Sequence, residues 1–192
     1  VASDSFEVIL VTDYSPPDYL KAEYSWVKWY YLNKFSISVK RNLGIHHSSG
    51  DIVAFIDDDC IPDPDWLKNG TDYLKSDNSC AGVEGRTSIE KRTFNFTAYR
   101  DYCRLEKPGF RTNNIFYRKD ILKEIGGFDE RFTVQREDID LAFSIMEKGY
   151  TIKFDSRIKV EHKLRSGEPF DLLKNCWNRR FDPLLYRKHP KY

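Results

Sequence analysis

A short apolar run without polar alternation, Asp51-Ile52-Val53-Ala54-Phe55-Ile56, leads directly into three consecutive carboxylates, Asp57, Asp58 and Asp59. A strand with no polar alternation suits a position buried on both faces, which requires a sheet covered by helices on each side. In such sheets ligands gather at the carboxyl ends of the strands, where these acids lie. Pro62 and Pro64 follow, so the chain is expected to turn out of the sheet just after them. Along an extended chain side chains alternate, which would point Asp57 and Asp59 together and Asp58 away. Two converging carboxylates suit a hard divalent cation, Mn²⁺ or Mg²⁺, with positions left open for phosphate oxygens. Acid runs at strand ends are also common as solvated turns. The strand before and the prolines after favour a metal-assisted phosphate site.

The remaining pattern alternates short apolar strands with helical periods. Strands are expected at 6–11, 27–32, 80–89, 112–117, 151–154 and 158–160, and helices at 18–26, around 40–47, and at 65–75, 118–125 and 138–148. Gly126-Gly127 stands in the C-cap position of one helix. Ile139, Leu141, Ala142, Ile145 and Met146 form the buried stripe of another. This alternation is that of an α/β domain, and 192 residues suffice for one sizeable core.

Charge narrows the function classes. Thirty-one basic and 30 acidic residues leave a net charge of +1, which gives no reason to expect a nucleic-acid partner. The four cysteines, Cys60, Cys80, Cys103 and Cys176, are scattered without CxxC spacing, so neither a disulfide framework nor structural zinc is expected. Reduced thiols fit a cytoplasmic setting. No apolar run approaches the roughly 20 residues of a membrane-spanning helix.

Three stretches carry a family resemblance: RNLGI…SGDIVAFIDDDCIPDPDWL from Arg41, TNNIFYRKDILKEIGGFDERF from Thr112, and REDIDLAFSIMEKGYTIKFDSRIKVEH from Arg136. In this order they resemble the inverting family 2 glycosyltransferases of the GT-A fold, including the Asp-x-Asp signature. The resemblance implies a Rossmann-like three-layer sandwich that moves a sugar from a UDP-, GDP- or dTDP-linked donor to a carbohydrate or lipid-linked acceptor. It implies Asp138, with Glu137, as the catalytic acidic motif, and Asp59, Asp57 and His162 as ligands of Mn²⁺ or Mg²⁺. It places Asp13, Arg41, Asp57 and Asp58 on the donor side, with Asp13 and Arg41 at the nucleoside, and Asn113 and Asn114 at the acceptor.

Each of these residues also has a plainer reading. Asp13 can cap a turn, Arg41 can be a solvated helix charge, and Asn113 or Asn114 can bond backbone at a turn. Glu137 and Asp138 can serve the dipole of their own helix, and a lone His162 can be packing. If Asp138 is the base, it is expected across the donor pocket from the Asp57–Asp59 cluster.

The match begins at what resembles the family's second strand. The expectation is therefore a GT-A domain over 1–165 lacking its first βα unit, with the strands at 6–11 and 51–57 not paired to one another. Residues 166–192 form a basic amphipathic segment. Over 168–189 it carries Trp177, Phe181, Leu184 and Tyr186 among Arg179, Arg180, Arg187 and Lys188. Such a stripe can lie on the inner face of a membrane or pack back on the domain. Processive family members carry a Gln-x-x-Arg-Trp motif here. Trp177-Asn178-Arg179-Arg180-Phe181 keeps only the arginine, which disfavours polymer synthesis. A nucleotidyltransferase, or an inactive nucleotide-sugar-binding fragment, remains the alternative.

Overall fold

Strand β6 (Asn114–Arg118) decides how the layers are assembled, because its side chains alternate between two separate cores. Ile115 and Tyr117 join Ile45, Ala81, Ile121, Leu122, Phe128, Leu141 and Ile145 on one face. Phe116 joins Trp66, Leu74, Cys80, Val83, Ile158 and Val160 on the other. A computed structural model describes residues 5–89, 103–163 and 176–192. It yields β1 (Val8–Thr12), α1 (Asp18–Glu23), β2 (Val27–Tyr31), α2 (Ile37–His47), β3 (Ile52–Ile56), β4 (Cys60–Pro62), α3 (Trp66–Ser76) and β5 (Cys80–Ile89). After β6 come α4 (Lys119–Ile125), α5 (Glu137–Glu147), β7 (Thr151–His162) and α6 (Asp182–Lys188). Helix α3 covers one face of the sheet, and α2, α4 and α5 supply the other core. Each large apolar side chain so buried is worth roughly 1.5–3 kcal/mol. Helices of 7–11 residues are too short to be stable alone, so this packing holds them.

Five strands form one mixed sheet in the order β3-β6-β5-β7-β4, and β1 and β2 form a separate parallel pair. β5 and β7 run parallel, and the other three pairings are antiparallel. The α/β three-layer arrangement is thus the expected one. β1 and β3 are not paired among the described residues, also as expected. Their starts are tied instead through Glu7, whose carboxylate accepts the Ser49 N–H at 2.5 Å and takes the Lys28 ammonium of β2 at 2.6 Å.

Three expectations need correction. β3 is not buried on both faces: among the described residues it pairs with β6 alone, its first four residues are half-buried, and Ile56 is exposed. An apolar composition alone does not say whether a strand is central or at an edge. The chain does not leave the sheet at Pro62 either. Cys60–Pro62 add an edge strand against β7, a place where proline's missing donor is tolerated. Finally, 151–154 and 158–160 belong to one strand, β7, whose register against β5 shifts between Gly85 and Arg86.

The C-terminal stretch packs back on the domain. Phe181 and Leu185 close a third core around Phe132, with Val134, Ile139, Phe143 and Leu184 against it. Asp140 is almost fully buried and accepts from the Lys188 ammonium at 2.8 Å. The His189 Nε2 stands 2.9 Å from the same carboxylate. Trp177 and Tyr186 stay exposed. The expected boundary at 165/166, and residues 168–175 of the expected stripe, lie outside the described residues, as do 90–102. Among the described residues no helix is long and apolar enough to cross a membrane.

Candidate active site

The three acids do not run on as an extended chain. The Cys60 N–H donates to the Asp57 carbonyl at 3.0 Å, closing a β-turn through Asp57, Asp58 and Asp59. Alternation therefore does not set their directions. After the turn, β4 pairs antiparallel with the end of β7, Cys60 opposite His162, and the Lys163 N–H donates to the Asp59 carbonyl at 2.8 Å. Directly opposed residues present their side chains on one face. The His162 Nε2 accordingly stands 3.4 Å from the Asp59 Oδ1, and the ligating atoms of Asp59, Cys60 and His162 all lie within 4.8 Å of one another.

One oxygen, one nitrogen and one sulfur donor therefore converge, a set that fits a divalent cation. Of the expected ligands, Asp59 and His162 lie in this group; Asp57 lies outside it, and Cys60 lies within it. Burial pushes the Cys60 thiol up to about 12, reinforced by the charges of Asp57 and Asp59.

Asp57 turns to Arg41 instead, at 3.7 Å. Burial raises its carboxyl above the usual range, the charge of Arg41 opposes this, and that of Asp59 reinforces it. The same guanidinium meets the Glu137 Oε1 at 2.5 Å and lies 5.5 Å from the centre of the Phe128 ring. Asn42, next on α2, exchanges two hydrogen bonds with the Phe128 backbone: its Nδ2 donates to the carbonyl at 2.9 Å, and its Oδ1 accepts the N–H at 2.8 Å. This seats the Gly126-Gly127-Phe128 turn on α2. Gly127 holds φ +75°, and a Cβ there would meet the Asn42 Oδ1 at 2.6 Å, so only glycine fits.

The turn delivers the start of α5. Arg136, in a left-handed conformation at φ 76°, precedes Glu137, and no side chain caps the helix. Glu137 and Asp138 open the first turn of the helix. Glu137 is buried, and its Oε2 has no hydrogen-bond partner among the described residues. The Asp138 carboxylate accepts the Ile139 N–H at 2.8 Å. Burial, followed by the charge of Glu137, pushes Asp138 up to about 7, while Arg41 and Arg111 pull it down.

Arg111 is presented by a clamp. The buried carboxylate of Glu84 on β5 accepts the N–H groups of Gly109, Phe110 and Arg111 at 2.9–3.1 Å. Phe110 is held there at φ 61°, a cost that three charge-assisted bonds offset. The Tyr117 hydroxyl lies buried without a partner among the described residues, and burial and the charges of Glu84 and Asp138 push it well above its ordinary pKa.

Not every expected residue joins this cluster. Asn114 is fully buried and its amide is spent. Its Oδ1 accepts the Trp66 indole N–H at 2.8 Å, and its Nδ2 donates to the carbonyls of Arg86 and Ile158 at 3.1 Å. It staples α3, β5 and β7 together and has nothing to offer an acceptor. Asn113 is also buried, but its Nδ2 has no partner among the described residues. Asp13 takes Lys40 at 3.1 Å, while the neighbour of Lys40 in sequence, Arg41, turns to the acids. Asp58 sits in the acidic turn, where its charge raises Asp57. Asn42, Cys60, Glu84 and Arg111 are contributors that reading the sequence misses.

Comparison with known proteins agrees with this architecture. Residues 2–129 match the family model for glycosyl transferase family 2. The chain is 31% identical over 144 residues to the glycosyltransferase AglE of Haloferax volcanii, covering 70% of this chain and 46% of that protein. It is 26% identical over 177 residues to a glucosyl-dolichyl phosphate glucuronosyltransferase of the same organism, covering 78% and 56%. The chain thus spans about half the length of these curated relatives. The fold is similar to that of GalNAc-T7, solved with UDP, GalNAc and Mn²⁺, at a TM-score of 0.63 and 13% identity over 83% of this chain and 38% of that one. With two thirds of its length matched by that one family model, and with a GT-A sandwich around the acidic turn, the chain belongs to glycosyl transferase family 2.

Proposed function

We propose that this chain moves a sugar from a nucleotide-diphosphate donor to an acceptor hydroxyl, with inversion and with the help of a divalent cation. The observation that carries the reading is Asp138. It is a carboxyl pushed up to about 7, next to a Glu137 that Arg41 links to the acidic turn. A base whose pKa lies near working pH is well matched to accept a hydroxyl proton during bond formation. In this reading Asp138 takes the acceptor proton as the acceptor oxygen bonds to the anomeric carbon. The bond from that carbon to the diphosphate breaks, and its electron pair leaves with the diphosphate. One displacement inverts the anomeric centre.

Asp59 and His162 would hold the cation, which when bound supplies neutralising charge to the departing diphosphate. Arg41 holds Glu137 in place, and Arg111 adds positive charge beside the base. The neighbour solved with UDP and Mn²⁺ supports a UDP-sugar as the donor and Mn²⁺ as the cation. The relative that acts on a glucosyl-dolichyl phosphate supports a lipid-linked acceptor. Exposed Trp177 and Tyr186, beside Arg179, Arg180 and Arg187, support a peripheral contact with the cytoplasmic face of a membrane. Flotation with anionic vesicles tests that contact, and loss of binding in Trp177→Ala with Arg180→Ala is expected.

The reaction is tested by nucleotide release from a panel of UDP-, GDP- and dTDP-sugars, in Mn²⁺ and in EDTA, with the product anomer read by NMR. Release that depends on Mn²⁺, with an inverted product, is expected. Release unchanged in EDTA, or a retained anomer, would sink the reading.

A further inference from the structure

We propose that the Cys60 thiolate is a third protein ligand of the cation site, which makes it a site for thiophilic cations of the Zn²⁺ class in competition with Mn²⁺ and Mg²⁺. The inference rests on the reading of Asp59 and His162 as a cation site and adds a donor of different chemistry to it.

The geometry carries it. Cys60 and His162 are register partners across β4 and β7, so their side chains leave the sheet on the same face. Asp59 precedes Cys60 in the turn, and its backbone continues the same ladder through the Lys163 N–H. The three ligating atoms lie within 4.8 Å of one another. Ligands about 2.0–2.3 Å from a tetrahedral zinc are about 3.5 Å from each other. The Asp59–His162 pair already stands at 3.4 Å.

The chemistry of the donors then selects the ion. Mg²⁺ prefers oxygen alone, whereas a thiolate with an imidazole and a carboxylate favours Zn²⁺, Co²⁺ or Cd²⁺. On coordination the sulfur–metal bond forms and the thiol proton passes to solvent. Three protein ligands leave one tetrahedral position for water or a phosphate oxygen. Cys80 cannot share the ion. It is the register partner of Thr151, at the far end of β7 from His162.

The test uses the whole chain and the metals alone. With one equivalent of Co²⁺ it should show a thiolate-to-cobalt charge-transfer band in the near ultraviolet. With one equivalent of Zn²⁺, X-ray absorption should show one sulfur at about 2.3 Å among nitrogen and oxygen neighbours. A wild-type spectrum without the band, or a shell of nitrogen and oxygen alone, overturns the proposal. Cys60→Ser should remove the band and weaken Zn²⁺ at least about tenfold, while Mn²⁺ affinity, read by paramagnetic resonance, changes by less than about threefold. A band that persists, or equal loss of both cations, overturns it.

Should Cys60→Ser fail to fold, the chain carrying Cys103→Ser and Cys176→Ser must keep the band, and its loss overturns the assignment. The two readings fail separately. Mn²⁺-dependent sugar release without a sulfur ligand leaves the proposed function standing. A sulfur ligand in a chain that releases no sugar leaves only this inference.

Discussion

Arg41 and Glu137 form a largely buried ion pair at 2.5 Å, with side-chain exposures of 17% and 6%, across 96 positions of sequence. The other end of the guanidinium lies 3.7 Å from Asp57. One cation on α2 thus joins the acidic turn after β3 to the start of α5.

Arg41→Gln should therefore do two things. It leaves Glu137 buried without a counter-charge, which costs about 3–5 kcal/mol, far more than the loss of a surface pair. It also removes a charge that holds Asp138 down, so the acidic limb of the pH–rate profile should move to higher pH. Denaturant unfolding reads the first effect and kcat against pH the second. An unchanged profile in a folded variant would mean that Arg41 does not act on the base.

Asp59→Asn should abolish Mn²⁺-dependent UDP binding in calorimetry and leave the fold intact. The bond that ties residue 59 to β7 uses its backbone carbonyl, which the substitution keeps. Asp57→Asn should weaken binding less, since Asp57 faces Arg41 and not the Asp59–Cys60–His162 group. Equal losses in the two variants would return Asp57 to the ligand set.

How much of this is legible in the sequence depends on the range over which each feature is encoded. The three-layer class is legible because strand and helix periods are local and repeat along the chain. The acidic turn and the Glu137-Asp138 pair are legible because each is a contiguous motif. The closeness of Cys60 to His162 is not, because it depends on the register between β4 and the end of β7, strands far apart along the chain. The roles of Asn113 and Asn114 are illegible for a similar reason. A shift of one residue exchanges the faces of β6, and which face meets Trp66 is decided by packing. The resemblance points to Arg41, but its partners Glu137 and Asp57 are set by where α2 lies in the fold.

Gly70→Ala separates helix propensity from packing. Alanine in a helix interior is worth about 1 kcal/mol over glycine, and Gly70 lies within α3. A Cβ at that position, however, would overlap the fully buried Phe116 ring. Overpacking of this kind costs about 1–3 kcal/mol, so packing should win. A lowered melting temperature is expected, and a raised one would show that Phe116 can yield.

Asp138→Asn tests the base and its environment together. Removing general-base assistance should lower kcat by about 10²–10⁴-fold, while UDP affinity changes little, since Asp138 is outside the cation group. In the wild type, kcat should rise with pH through about 7 as the carboxyl ionises. Stability should run the other way. The folded pKa lies above the unfolded value of 3.8, so between about 4 and 7 the folded state holds a proton that the unfolded state has released. Stability therefore falls as pH rises across that window. Asparagine carries no charge to desolvate, so Asp138→Asn should be more stable than the wild type at pH 8 and nearly equal to it at pH 4. Thermal melts at the two values check this. A variant destabilised equally at both would show that the Asp138 carboxylate is a structural element of α5 and not a base held ready by burial.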